Sequence, residues 1–162
     1  MGRFSMLAGI KTNQGGLYFE EGDYEVEIDE VKLIRTREGH DSFVISAKVE
    51  KSTNPQRAPG CKPSQVIALK EKILETAMGN VKQFAGAVLG ILDPDSYLAE
   101  CDPLIPGDTP EAATQRFWEE SLELMVSDEQ PCRGVRIHLN CTDIKTRTGG
   151  DFTKHVWGPL LG

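Results

Sequence analysis

The pattern that most restricts the fold lies between Tyr24 and Leu33. Tyr24, Val26 and Ile28 alternate with Glu25, Glu27 and Asp29, the period of a strand with one buried and one wet face. The alternation then changes phase, because the next apolar residues are Val31 and Leu33. One extra residue near Asp29-Glu30 accounts for the change. A β-bulge does this, and it bends a strand enough to enter a closed barrel.

The rest of the chain extends that reading. Residues 1–22, with Gly9, Gly15, Gly16 and Gly22, have little periodicity and read as an N-terminal arm. Thr36 to His40 supplies a turn, with Gly39 suited to a positive φ. Phe43, Ile45, Ala47 and Val49 form a second strand, Ser52 to Lys62 a loop, and Ser64–Leu69 a third strand. Helical spacing follows from Ile73 to Leu89, expected to break at Gly79-Asn80 and to be stopped by Gly90 to Asp95. Asp108-Thr109-Pro110-Glu111 opens another helix, with Phe117, Trp118, Leu122 and Met125 inward. Val135, Ile137, Leu139 and Cys141 form a fourth strand, whose phase is expected to slip before Ile144. A turn at Thr148-Gly149-Gly150 leads to a last strand, Asp151 to Trp157. Three strands, a helical insert and two more strands is the order of the oligonucleotide-binding (OB) fold, a five-stranded Greek-key barrel. The expectation is therefore a mainly β chain with one OB-like domain over residues 23–162 and a helical, acidic insertion at about 70–130.

With 162 residues and a mean hydropathy of −0.34, the chain has the composition of a water-soluble domain. The apolar run Phe84 to Leu92 is interrupted by two glycines and falls short of the roughly 20 residues a spanning helix needs. The N-terminus makes a poor signal peptide. Cys61, Cys101, Cys132 and Cys141 contain no Cys-x-x-Cys pair and read as reduced thiols rather than a zinc site.

The net charge of −7 argues at first against nucleic acid, but it is unevenly spread. Residues 1–31 have net charge −5, residues 32–82 +5, residues 93–130 −10, and residues 131–162 +3. A basic surface on an acidic protein can hold phosphates, since screening beyond about 8–10 Å mutes distant charges.

A short echo sits in the two positive blocks. Ile34-Arg35-Thr36-Arg37-Glu38-Gly39-His40-Asp41-Ser42-Phe43 matches Ile144-Lys145-Thr146-Arg147-Thr148-Gly149-Gly150-Asp151-Phe152, with Phe one residue earlier in the second copy. Each copy lies at an expected hairpin, and in the OB fold these two hairpins flank the binding face. Arg35, Arg37, Lys145 and Arg147 are candidate phosphate contacts, joined by Lys51, Arg57, Lys62 and Lys154. Phe43, Phe152, His155, Trp157 and Tyr18 are candidate stacking rings. Phe43 and Phe152 also suit a core; Tyr18 and Trp157, near the ends of ordered segments, are better placed to stack. Local turn chemistry alone also explains basic hairpins with Gly and Asp.

Catalytic chemistry is sparse. His40, His138 and His155 fall in no nucleophile or metal motif, and no phosphate-binding Gly-rich run follows a strand. The expectation is a binding or structural protein with no catalytic residues, metal or cofactor.

The run Tyr24–Val49, the segment Gly79-Asn80-Val81-Lys82-Gln83-Phe84 and the closing Thr-x-x-Gly-x-Asp-Phe-Thr-x-His-x-Trp resemble small proteins of tailed bacteriophages. Some of these are regarded as single-stranded DNA-binding proteins with an OB fold. The resemblance implies sequence-independent single-stranded DNA binding in phage replication or recombination, in the host cytoplasm and without a membrane. Further copies of the chain, and phage replication or virion proteins, are the additional partners expected. Many such proteins end in an acidic tail, whereas this chain ends Trp157-Gly-Pro-Leu-Leu-Gly162. That apolar end and the glycine-rich arm also fit a second reading, a virion β-barrel of capsid, neck or tail whose termini clasp neighbouring chains.

Overall fold

The long bulged strand organises the sheet. The computed structural model describes residues 17–37, 39–145 and 151–160. β1 (Gly22–Arg35) pairs on one side with β2 (Asp41–Ser52) and on the other with β4 (Arg136–Lys145). β3 (Ser64–Leu69) lies outside β2, and β5 (Asp151–Pro159) outside β4. The order is β3-β2-β1-β4-β5, with every pair antiparallel. Among the described residues β3 and β5 do not pair, so the sheet is open. Among the described residues the chain is mainly β, with five strands and two α-helices.

The expected bulge is present. Ile28 faces Ala47 and Glu30 faces Ser46, leaving Asp29 unpaired, so Tyr24, Val26, Ile28 and Val31 are all buried. Beyond the bulge β4 no longer reaches β1, and residues 130–135 take over. Ile28 N–H donates to Val135 O at 2.8 Å and Gly134 N–H to Ile28 O at 2.9 Å. The Gln130 amide then serves both groups of Val31, accepting from its N–H and donating to its carbonyl, each at 2.8 Å. A side-chain amide thus replaces a strand peptide, as buried backbone groups require.

α1 (Leu74–Leu89) packs mainly on β5 and also on β3, burying Ala77, Val81, Phe84 and Ala85 between the two sheet edges. The expected break at Gly79-Asn80 does not occur. Gly79 faces open space and Asn80 is only half-buried, off the packed stripe. Burial of that stripe outweighs the roughly 1 kcal/mol that a glycine costs a helix interior. Gly90 ends the helix at φ +75°, with Ile91 N–H donating to Gly86 O at 2.8 Å. Gly86 admits Pro94 at close range, since a Cβ there would sit 2.5 Å from the proline Cγ.

α2 (Pro110–Met125) starts at the expected cap, where Thr109 Oγ1 accepts from Ala112 N–H at 3.2 Å. It buries Trp118 and Met125, with Phe117 and Leu122 at the margin of the core. The carboxylate of Asp108 takes two bonds from Arg116, both 2.7 Å. Those bonds, then the N–H of Asp102, hold its pKa down to about 2.

The expected slip before Ile144 is absent too. The β4–β5 register runs unbroken from Ile137↔Pro159 to Lys145↔Asp151, so Ile144 lies on the outer, wet face. An isoleucine on that face had mimicked a change of phase.

Candidate nucleic-acid interface

The open seam between β3 and β5 is spanned by side chains and by the residues that precede β1. Trp157 Nε1–H on β5 donates to Gln65 Oε1 on β3 at 2.7 Å. Phe19 is buried in the same gap, its ring edge-on to Tyr24, His155 and Trp157 at 5.3, 6.0 and 5.9 Å. Next to it, Tyr18 forms a parallel bridge with Ser64, whose N–H donates to Leu17 O at 2.8 Å. Within the stretch expected to be an arm, residues 17–21 are thus packed against the sheet; the remainder, 1–16, lies outside the described residues. The glycines around this segment mask it, and the run Leu17-Tyr18-Phe19 is too short to show a period.

The candidate rings divide sharply. Phe43 and Trp157 are 3% and 4% exposed and pack on Phe84 at 6.0 and 5.2 Å. Both leave the set of stacking candidates, because a ring enclosed by the core has no face to offer a base. His155 lies opposite Cys141 on the core side, half-buried, with Nδ1 3.1 Å from Thr153 O and no partner for Nε2. Burial lowers its pKa, so it is a neutral ring at pH 7. Tyr18 and Phe152, by contrast, are 51% and 50% exposed.

The cations divide as well. Arg57 is committed to the fold: its side chain is 13% exposed, Nε–H donates to Tyr18 O at 2.6 Å, and Glu20 lies 3.5 Å away. Lys51 pairs with Glu25 at 3.5 Å, and Arg35 faces Asp41 at 3.6 Å while staying largely in water. Arg37, Lys62, Lys145 and Lys154 are exposed, and none takes part in an ion pair formed among the described residues. Arg147, with the turn Thr148-Gly149-Gly150, lies outside the described residues.

The two hairpins do not meet at a common tip. β4 runs opposite to β1 with Cys141 against Gly22, so the β4–β5 hairpin projects past the start of β1. The β1–β2 hairpin leaves the far end at Arg35. From Arg35 back along β1 to Gly22, opposite Cys141, and on along β4 to Lys145 is about 55 Å of contour at 3.3 Å per residue.

Between the hairpins, charge is arranged in two ways. The outer face of β2, β1 and β4 pairs its own charges: Lys51 meets Glu25 at 3.5 Å and Arg136 meets Glu50 at 3.1 Å. Across the seam side, Tyr18 borders Ser64 on β3, and Lys154 and Phe152 stand on the outward side of β5. Two concave spaces among the described residues are acidic. A cleft of about 740 Å³ between α2 and residues 97–105 includes Glu100, Asp102 and Glu120 in its lining. A notch of about 390 Å³ beside the seam is lined by Glu20, Glu21, Asn54, Asp143 and Thr153. Neither suits a polyanion. Among the described residues there is no cluster of metal-ligating side chains, and no helix is long and apolar enough to cross a membrane.

A scan against protein-family models finds no match, and a search of curated proteins finds none either.

Proposed function

We propose that the chain is a sequence-independent single-stranded DNA-binding protein, of the kind tailed bacteriophages use in replication or recombination. It works as a binding protein rather than an enzyme, in the host cytoplasm. Its sheet is an OB-like barrel in which side chains and the segment before β1 take the place of a β3–β5 ladder. The strand order, the helix wedged between the edges and the Trp157–Gln65 bond support that description.

One observation carries the functional reading: two rings, Tyr18 and Phe152, are half open to water, exposed Lys154 stands two positions from Phe152 on the same side of β5, and the densest acidic block is confined to the helical insertion. Exposed aromatics flanked by Lys and Arg suit bases stacked on rings and phosphates held by charge. Because the hairpins leave opposite ends of β1, the strand would run from one to the other, passing Tyr18 at the seam, rather than being pinched at one point.

A fluorescence titration with oligo-dT at two salt concentrations tests the reading. Binding at low salt that weakens with log salt, with a slope of about −0.7 per phosphate contacted, is expected. No binding at low salt would overturn it and leave a virion component as the better description.

A further inference from the structure

Leu17 to Glu21 has no regular ladder of its own, yet nearly every carbonyl in it is held by the body of the protein. Leu17 O accepts from Ser64 N–H at 2.8 Å, Tyr18 O from Arg57 Nε–H at 2.6 Å, Glu20 O from the Tyr24 hydroxyl at 2.7 Å, and Glu21 O from Asn54 Nδ2–H at 2.7 Å. The donors come from β3, the loop after β2, and β1. Burial, then the neighbouring Cys141 side chain, push the Tyr24 phenol up to about 12, so it remains a donor at any ordinary pH. Phe19 seals the seam from inside, and Tyr18 is left facing water.

We infer that residues 17–21 form a fixed strap that presents the Tyr18 ring to single-stranded DNA, and that Arg57 is its positioning residue rather than a phosphate contact. The inference rests on the DNA-binding reading above. Its physical basis is the direction of the guanidinium. Nε–H is spent on Tyr18 O, Nη1–H on Gln56 O at 2.8 Å, and Nη2 faces Glu20 at 3.5 Å. A guanidinium so occupied and only 13% exposed has little left for a polyanion. A ring on a pre-ordered backbone loses less entropy on stacking than one on a free arm.

The test compares Tyr18→Ala, Arg57→Ala, Arg57→Lys and the double alanine variant by oligo-dT titration across salt. Tyr18→Ala should weaken binding by roughly 5- to 150-fold, the range for one stacked base. Arg57→Ala should lose a similar factor with an unchanged salt slope, and the double variant should be no weaker than Tyr18→Ala. Arg57→Lys keeps the charge but cannot reproduce the planar fork, so it should not recover the affinity. Additive losses, a slope smaller by about 0.7 in Arg57→Ala, or full recovery with lysine would overturn the inference. A second readout needs no DNA: amide exchange at Ser64 should rise in Arg57→Ala while the β1–β4 amides stay protected. Unchanged exchange at Ser64 would also overturn it. Wild-type protein that fails to bind oligo-dT at low salt would sink the function itself, with Ser64 exchange still reporting on the strap.

Discussion

The β1–β2 and β4–β5 hairpins share a sequence and a register but not a surface. In each, a base faces an aspartate across the stem, Arg35 against Asp41 and Lys145 against Asp151, with five residues between. In each, the isoleucine before the base lies on the outer face. The partner of Ile34 is Ser42, however, and the partner of Ile144 is Phe152. The structural counterpart of Phe152 is therefore Ser42, not Phe43. Because side chains in a strand alternate between faces, the single-residue offset of the phenylalanine in the echo sends one ring inward and the other out. A likeness in sequence between two hairpins is thus a statement about their turns, and what their stems present has to be read one residue at a time.

The largest expected effect lies on the inward ring. Phe43→Ala removes a ring packed against Phe84 and should cost about 3–5 kcal/mol in urea unfolding; a loss under 1 kcal/mol would break the contrast. Phe152→Ala should do the reverse, leaving stability within about 0.5 kcal/mol while weakening oligo-dT binding by roughly 5- to 150-fold. Smaller effects separate the cations. Arg35→Ala with Arg37→Ala should reduce the salt slope by about 1.4, and Lys145→Ala by about 0.7. Glu25→Gln, which only removes an acid and frees Lys51 from a partner on the ladder, should change binding least, strengthening it slightly if at all.

The smallest effect is a pH dependence beside the β4–β5 stem. His155 is neutral in the fold because burial lowers its pKa below 6.5. The unfolded chain binds the extra proton first as pH falls, so its contribution to stability is whole above about 6.5 and is lost toward the lower folded pKa. A His155→Phe variant should show a flatter stability profile between pH 7 and pH 5 than wild type; identical profiles would remove His155 as the cause.

Sequence alone located what depends on local chemistry. The bulge at Asp29, the Thr109 cap, the Gly90 stop and the span of β3 follow from side-chain alternation, capping hydroxyls and a left-handed glycine. What escaped it depends on tertiary packing. α1 continues through Gly79-Asn80 because its opposite stripe is buried between the sheet edges. Ile144 imitates a phase slip because the outer face of a hairpin stem can hold an apolar residue. Arg57 and Trp157 looked like ligand groups by type, and only the fold shows that one holds Tyr18 and the other ties β5 to β3. The packing of residues 17–21 was invisible for a similar reason, since its bonds are almost all to partners more than thirty positions away.

The most direct test of the account is a hydrogen–deuterium exchange footprint of the whole protein with and without oligo-dT at low salt. Protection should fall on residues 17–21, the outer side of β3, the β1–β2 hairpin and the first half of β5. The β1–β4 ladder, α2 and the acidic cleft at 97–105 should be unchanged. Protection centred on α2 and that cleft, or on the ladder, would contradict it.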